Sequence, residues 1–195
     1  MDALNLLYDR QRKQYQIARQ NVQIINRKCH ELKVQIADLR RLQPDEATTR
    51  SLDETEQAAR MYDANAATGN EVLDVVLTEK SLLCEAQRIR LNCVADGTCL
   101  TAIEPGDLYA LFSNLLDQAI DAAAQQQSDR RMIDLLVCRR QGFAVINVIG
   151  PALSGSQSDH GRRHSYELKV ARRVVQKYSG TMATEPRGEL FAVKI

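Results

Sequence analysis

No glycine or proline interrupts the chain before Pro44, and its apolar positions there recur at helical spacing. Leu4, Tyr8, Gln11, Tyr15, Ala18, Val22, Ile25, Cys29, Leu32, Ile36 and Leu39 advance in steps of four and three, with Gln11 as the one polar position. This is a heptad seam on one long helix, with Arg, Lys, Gln, Asp and Asn filling the solvated positions between. So narrow a stripe cannot be buried by the helix that carries it, so partner helices are expected. Pro44 is the expected stop. A second helix is predicted over about Glu46–Ala64, with Ala47, Leu52, Ala58, Ala59 and Met61 as a weaker apolar set. The short connection makes the pair an antiparallel hairpin, expected to dimerise into a four-helix bundle.

Thr68-Gly69-Asn70 breaks this pattern, and mixed helix and strand signals follow. Glu71–Ala86 reads as a helix with Val72, Leu73, Val76 and Leu83 on one face. Residues 89–94 alternate as a strand and stop at Asp96-Gly97. Pro105-Gly106 opens a strong helix from Asp107 to about Gln126. Met132–Cys138 and Phe143–Ile149 read as a hairpin, and Gly150–His164, rich in Ser and Gly, as a loop. Ser165–Tyr178 reads as a helix capped by Ser179-Gly180, and two short strands flank Pro186-Arg187-Gly188. The expected fold is α+β: a helical hairpin over residues 1–66, then a helix-on-sheet domain over 67–195.

Composition narrows the function classes. The 195 residues carry 26 Lys and Arg against 25 Asp and Glu, a net charge of +1, which provides no general drive toward nucleic acid or an anionic membrane. Hydrophobic residues at 44% and charged residues at 26% suit a folded chain. No run of about 18 apolar residues is present, and Met1–Gln14 turns polar too early for a secretory signal. A soluble, intracellular location is expected. Five cysteines without a C-x-x-C pair read as reduced thiols, mostly buried.

Three stretches carry candidate chemistry: His30-Glu31-Leu32-Lys33; Thr68-Gly69-Asn70-Glu71-Val72-Leu73-Asp74, running on to Glu79-Lys80; and Asn114-Leu115-Leu116-Asp117-Gln118-Ala119-Ile120-Asp121-Ala122. His30 follows the seam residue Cys29 and so flanks the bundle contact and faces solvent. Asn114 and Gln118 are one helical turn apart and share a face. In this order, over about Cys29–Leu168, the stretches resemble sensor histidine kinases of the quorum-sensing, peptide-pheromone-responsive type. Those kinases contain an ATPase domain of the GHKL fold, shared with gyrase-type topoisomerases and related chaperones. The resemblance implies a GHKL ATPase-like α/β sandwich behind the hairpin. It makes His30 the phosphoacceptor, with Glu31 orienting the imidazole and accepting its proton. Asn114 and Gln118 lie at the paired asparagines of the N-box, which hold Mg²⁺ through side-chain oxygens. Gln118 moves that oxygen outward by one methylene.

Asn147 resembles the asparagine that these kinases commonly carry where other GHKL proteins read adenine with an aspartate. His164-Ser165-Tyr166-Glu167-Leu168-Lys169 matches the later G-x-G-L-K box, with Ser165 and Glu167 in place of its glycines and Lys169 retained near the phosphates. Glycines there let backbone N–H groups reach phosphate at a helix N-terminus, and Glu167 brings a carboxylate where phosphate charge sits. The cofactor implied is Mg-ATP, with weak or absent binding expected from this degenerate box. The implied partners are a second copy of the chain and a response regulator whose Asp takes the phosphoryl group. The family's sensor is a membrane-embedded N-terminal region absent here, so the chain is expected to be the cytosolic part of such a sensor or a stand-alone relative. The alternative is a kinase-like phosphotransfer or scaffold protein that works without ATP. A coiled-coil binding module explains residues 1–64 but not the N-box.

Two weaker signals are set aside. His160 and His164 have a spacing that suits Zn²⁺ on a helix, but they fall in the expected loop with no third ligand nearby. Five Arg-Arg pairs are spread over different elements, and aromatics are only 5%, which argues against a nucleic-acid surface.

Overall fold

The computed structural model describes residues 3–42, 45–62, 67–127, 130–151, 159–187 and 190–194. Helix α1 spans Ala3–Arg41 and α2 spans Glu46–Tyr62. Pro44 lies outside the described residues, as do the side chains of Leu4, Tyr8 and Gln11. The two helices pack on each other. Ile36 and Leu52 are both buried, and Arg40 pairs across the hairpin with Asp53 and Glu56.

The α/β part follows. Helix α3 (Glu71–Ala86), strand β1 (Arg90–Ala95) and a 3-10 turn (Gly97–Leu100) lead to α4 (Pro105–Ala124). Strands β2 (Met132–Arg140) and β3 (Phe143–Pro151) form the hairpin, turning through Gln141 (φ 49°) and Gly142 (φ 87°). Helix α5 spans Asp159–Lys177, and β4 (Ala183–Arg187) and β5 (Leu190–Lys194) close the chain. The sheet order is β1-β2-β3-β5-β4, parallel between β1 and β2 and antiparallel elsewhere. Pro186 is tolerated in β4 because that strand is an edge.

Helix α4 lies against β2 and β3, flanked by α3 and α5. Ile133, Leu135, Val137, Ile146 and Val148 face it from the sheet, and Leu111, Phe112, Leu115 and Leu116 answer from the helix. The α+β expectation holds: amino-terminal helices are followed by a unit of helices on a five-stranded sheet. No helix among the described residues is long and apolar enough to cross a membrane.

Three expectations change. The seam on α1 finds partners inside its own chain. Ala18 and Val22 join the core of the α/β unit, the Tyr15 ring packs tilted against Tyr109 of α4 with centroids 5.5 Å apart, and Arg19 meets Glu71 of α3 at 2.7 Å. Because α1 covers its outer side, α3 is buried around most of its circumference, whereas Leu83 is 39% exposed. The expected Gly150–His164 loop also ends early, since α5 begins at Asp159. The Ser and Gly content of this stretch reads as loop, but Gly161 lies inside the helix.

Candidate functional site

The Thr68–Asp74 stretch is a structural clasp. Gly69 takes φ 85°, a left-handed conformation that glycine adopts without strain. Asn70 caps α3, its Oδ1 accepting from the N–H groups of Val72 and Leu73 at 3.1 and 3.2 Å. Asp74 reaches back to accept from the Thr68 N–H and hydroxyl at 2.9 and 2.7 Å. The Thr68 carbonyl in turn accepts from Gly97 N–H at 2.8 Å. This ties the start of α3 to the end of β1 and sets where α3 meets α4.

Proline at the first turn starts α4, and Asp107 secures that end. Buried Asp107 accepts from Lys177 at 2.6 Å and from the Tyr178 hydroxyl at 2.7 Å, joining α4 to the end of α5. Asn114 and Gln118 share one face, as expected. Asn114 is half-buried and donates its Nδ2 to the Ala110 carbonyl at 2.6 Å. Gln118 is buried.

On another face of α4 lies a network that sequence reasoning missed. Lys80 of α3 projects its ammonium to Asp117 at 2.8 Å and to Glu79 at 3.2 Å, its side chain only 5% exposed. Tyr109 donates its hydroxyl to the other Glu79 oxygen at 3.1 Å. Burial pulls the Lys80 ammonium toward neutrality, but Asp117 and then Glu79 outweigh it and hold its pKa above the ordinary value. Burial, reinforced by Glu79, pushes the Tyr109 phenol up. The available signal was spacing: Lys80 falls one helical turn after Val76 and two after Leu73, on the face that those residues bury.

The remaining candidates lie elsewhere. Asn147 sits on β3 between the buried Ile146 and Val148, and a Cβ placed on Gly150 would meet Ala119 of α4 at 3.7 Å. Ile146, Val148 and Gly150 therefore face α4, and alternation puts Asn147 on the opposite sheet face. It pairs there in register with Leu136 and Lys194, and its Oδ1 is buried without a hydrogen-bond partner among the described residues. Lys169 is exposed on α5, the helix beside α4. Ser165 and Glu167 fall inside α5, more than a turn beyond its start at Asp159. Free N–H groups belong to a helix's first turn, so the backbone at 165–167 is committed to the helix. His160 and His164 lie on α5 too, not in a loop, and their side chains are outside the described residues.

His30 is exposed on α1, beyond the segment that docks on α3 and α4. Glu31 is engaged on the helix surface, with Lys28 at 2.6 Å and Arg27 at 3.8 Å. The Lys28 hydrogen bond, with smaller contributions from Arg27 and His30, holds its carboxyl below the ordinary range. Glu31 is thus a stabilising negative charge beside His30 more than a strong base.

Residues 103–195 match the family model of the GHKL domain. The GHKL match spans α4 through β5 and contains Asn114, Gln118, Asn147 and Lys169. No curated protein matches the chain. Among solved structures, it is similar to the histidine kinase AdeS of Acinetobacter baumannii, at 17% identity over 85% of this chain and 96% of that one, with a TM-score of 0.45. A histidine kinase from Burkholderia phymatum STM815 is similar at 15% identity over 96% of this chain and 95% of that one, with a TM-score of 0.41. The histidine kinase domain of the blue-light activated histidine kinase of Erythrobacter litoralis EL346 is similar at 15% identity over 90% and 94%, with a TM-score of 0.43.

Of the groups that would hold Mg-ATP, the α4 face fits best. The Asn114 and Gln118 amide oxygens suit a hard cation, and Lys169 stands on the neighbouring helix. Positions 165–167 do not offer free amides to phosphate, and Asn147 faces away from α4.

Proposed function

We propose that the chain is the phosphotransfer region of a two-component sensor histidine kinase of the quorum-sensing type. In this reading His30 carries a phosphoryl group between Mg-ATP and the Asp of a response regulator. The carrying observation is an exposed histidine, in a His-Glu-Leu-Lys context, on the hairpin that precedes a GHKL-matching unit. Mg-ATP would supply the γ-phosphoryl group, bound against Asn114, Gln118 and Lys169. The His30 imidazole, open to solvent, is reachable by a group held on another domain, and Glu31 favours the positive charge that the ring gains on attack. The protein works as a homodimer on the cytoplasmic side, tied to a membrane only through a sensor region preceding it.

The dimer reading has structural support. Leu32 and Leu39, both seam residues, remain 41% and 48% exposed, and Ile17 and Ile24 are 57% and 50% exposed. At 100° per residue these four lie within one third of the α1 circumference, away from His30. A second hairpin packed there would leave His30 open.

A second reading, phosphotransfer or scaffolding without ATP, is favoured by the helical course of 165–167 and the carboxylate of Glu167. Two incubations separate them. With labelled ATP, the kinase reading expects acid-labile phosphate on the protein. With phosphorylated response regulator, both phosphotransfer readings expect label. Equal labelling of His30→Gln by either donor rules out His30 as the acceptor.

A further inference from the structure

Helix α4 is held mostly by aliphatic contacts, which fill space but carry little directional preference. Directional contacts among the described residues are few: beside the hydroxyl of Tyr109 to Glu79 of α3, two fix the helix. Asp107 pins its start to Lys177 and Tyr178, and Asp117 pins its middle to Lys80. The second lies beside the candidate Mg²⁺ face, with Asp117 about 60° around the axis from Asn114 and about 100° from Gln118 at 100° per residue. Beyond it, α1 walls a cleft of about 480 Å³ that Ala18, Val22 and Ile25 line together with Lys80 and Asp117. That flank of α4 is therefore not close-packed, and aliphatic contact alone does not lock it.

We propose that Lys80 is a positioning residue for the nucleotide site: through Asp117 it fixes the rotation of α4, and so the direction in which Asn114 and Gln118 project. A rotation of roughly 10° at a side-chain radius of 5–6 Å carries an amide oxygen about 1 Å. Mg²⁺ demands near-ideal octahedral geometry, so a shift of that size matters. Glu79 holds Lys80 from the other side and is held in turn by Tyr109, which keeps the ammonium charged and directed although buried. The inference rests on the N-box reading of α4, but the geometric claim is separable from it.

The test therefore uses the full chain without nucleotide. Hydrogen exchange at the backbone amides of residues 114–118 is compared with that at Ile133, Val137 and Ile146 in the sheet, and the side-chain amide NMR signals of Asn114 and Gln118 are followed. Lys80→Met and the near-isosteric Asp117→Asn should each raise exchange at 114–118 by about tenfold relative to the sheet and move both side-chain signals. The double variant should do no more than either single one. Exchange that rises equally in the sheet and the N-box shows a stability role alone and overturns the proposal, as do unchanged N-box signals or additive single effects. Failure of the wild type to bind Mg-nucleotide would bear on the proposed function and leave this measurement intact.

Discussion

Replacing Gly97 with alanine should damage the clasp that sets the start of α3. A Cβ at position 97 would stand 2.6 Å from Thr68 Oγ1, 2.7 Å from Asn70 Cβ and 3.1 Å from the Asn70 nitrogen. None of these atoms can retreat freely. The Thr68 hydroxyl is bonded to Asp74, and Asn70 is held by its two cap hydrogen bonds. Overpacking of this kind costs about 1–3 kcal/mol. Moving Asn70 aside forfeits an N-cap of about 1 kcal/mol. The total of about 2–4 kcal/mol corresponds to a fall in melting temperature on the order of 10 °C for a chain of this size. Gly142→Ala is the control: its φ is 87° but nothing lies within 4 Å, so only left-handed strain of about 1–2 kcal/mol applies. Circular dichroism melts, with hydrogen exchange at the first turn of α3, read both variants. The reasoning is refuted if Gly97→Ala melts within about 2 °C of wild type, a small fraction of the expected fall, or if its loss is no greater than that of Gly142→Ala.

Three further outcomes are expected. Ser165→Gly with Glu167→Gly should recover Mg-ATP binding in part, and only together with loss of helix over 159–167, since each glycine in a helix interior costs about 1 kcal/mol and free N–H groups belong to a helix's first turn; calorimetry paired with hydrogen exchange checks this, and tighter binding with the helix intact would contradict it. Burial pushes the Cys84 thiol up to about 11, so the stability from keeping it neutral is full below the unfolded value near 9 and is lost as pH rises toward 11. Urea melts across that range should show the decline in wild type and a smaller one in Cys84→Ala. Leu32→Lys with Leu39→Lys should yield monomers by sedimentation and a melting temperature that no longer depends on concentration, because both side chains are exposed within the chain. Val22→Asp would instead also undock α1 from the α/β unit.

Much of the fold was legible because local signals agreed. The helix Glu71–Ala86 has Asn70 as its cap, Pro105 opens α4, and Gln141-Gly142 turns the hairpin, each a residue type whose backbone preference is set within a few positions. The shared face of Asn114 and Gln118 follows from helical spacing alone. Tertiary packing decided the rest. Val145, Ile146, Val148 and Ile149 are apolar at both parities, so only the seating of α4 on β3 determines that Asn147 faces the other way. The α1 stripe has the same spacing whether it meets a second chain or the back of α3, and geometry at a distance in sequence assigned Ala18 and Val22 to the chain's own core. Lys80 looks like a surface lysine until α1 and α4 close around it. A charge is buried or exposed according to what packs over it, and residues far along the chain supply that cover.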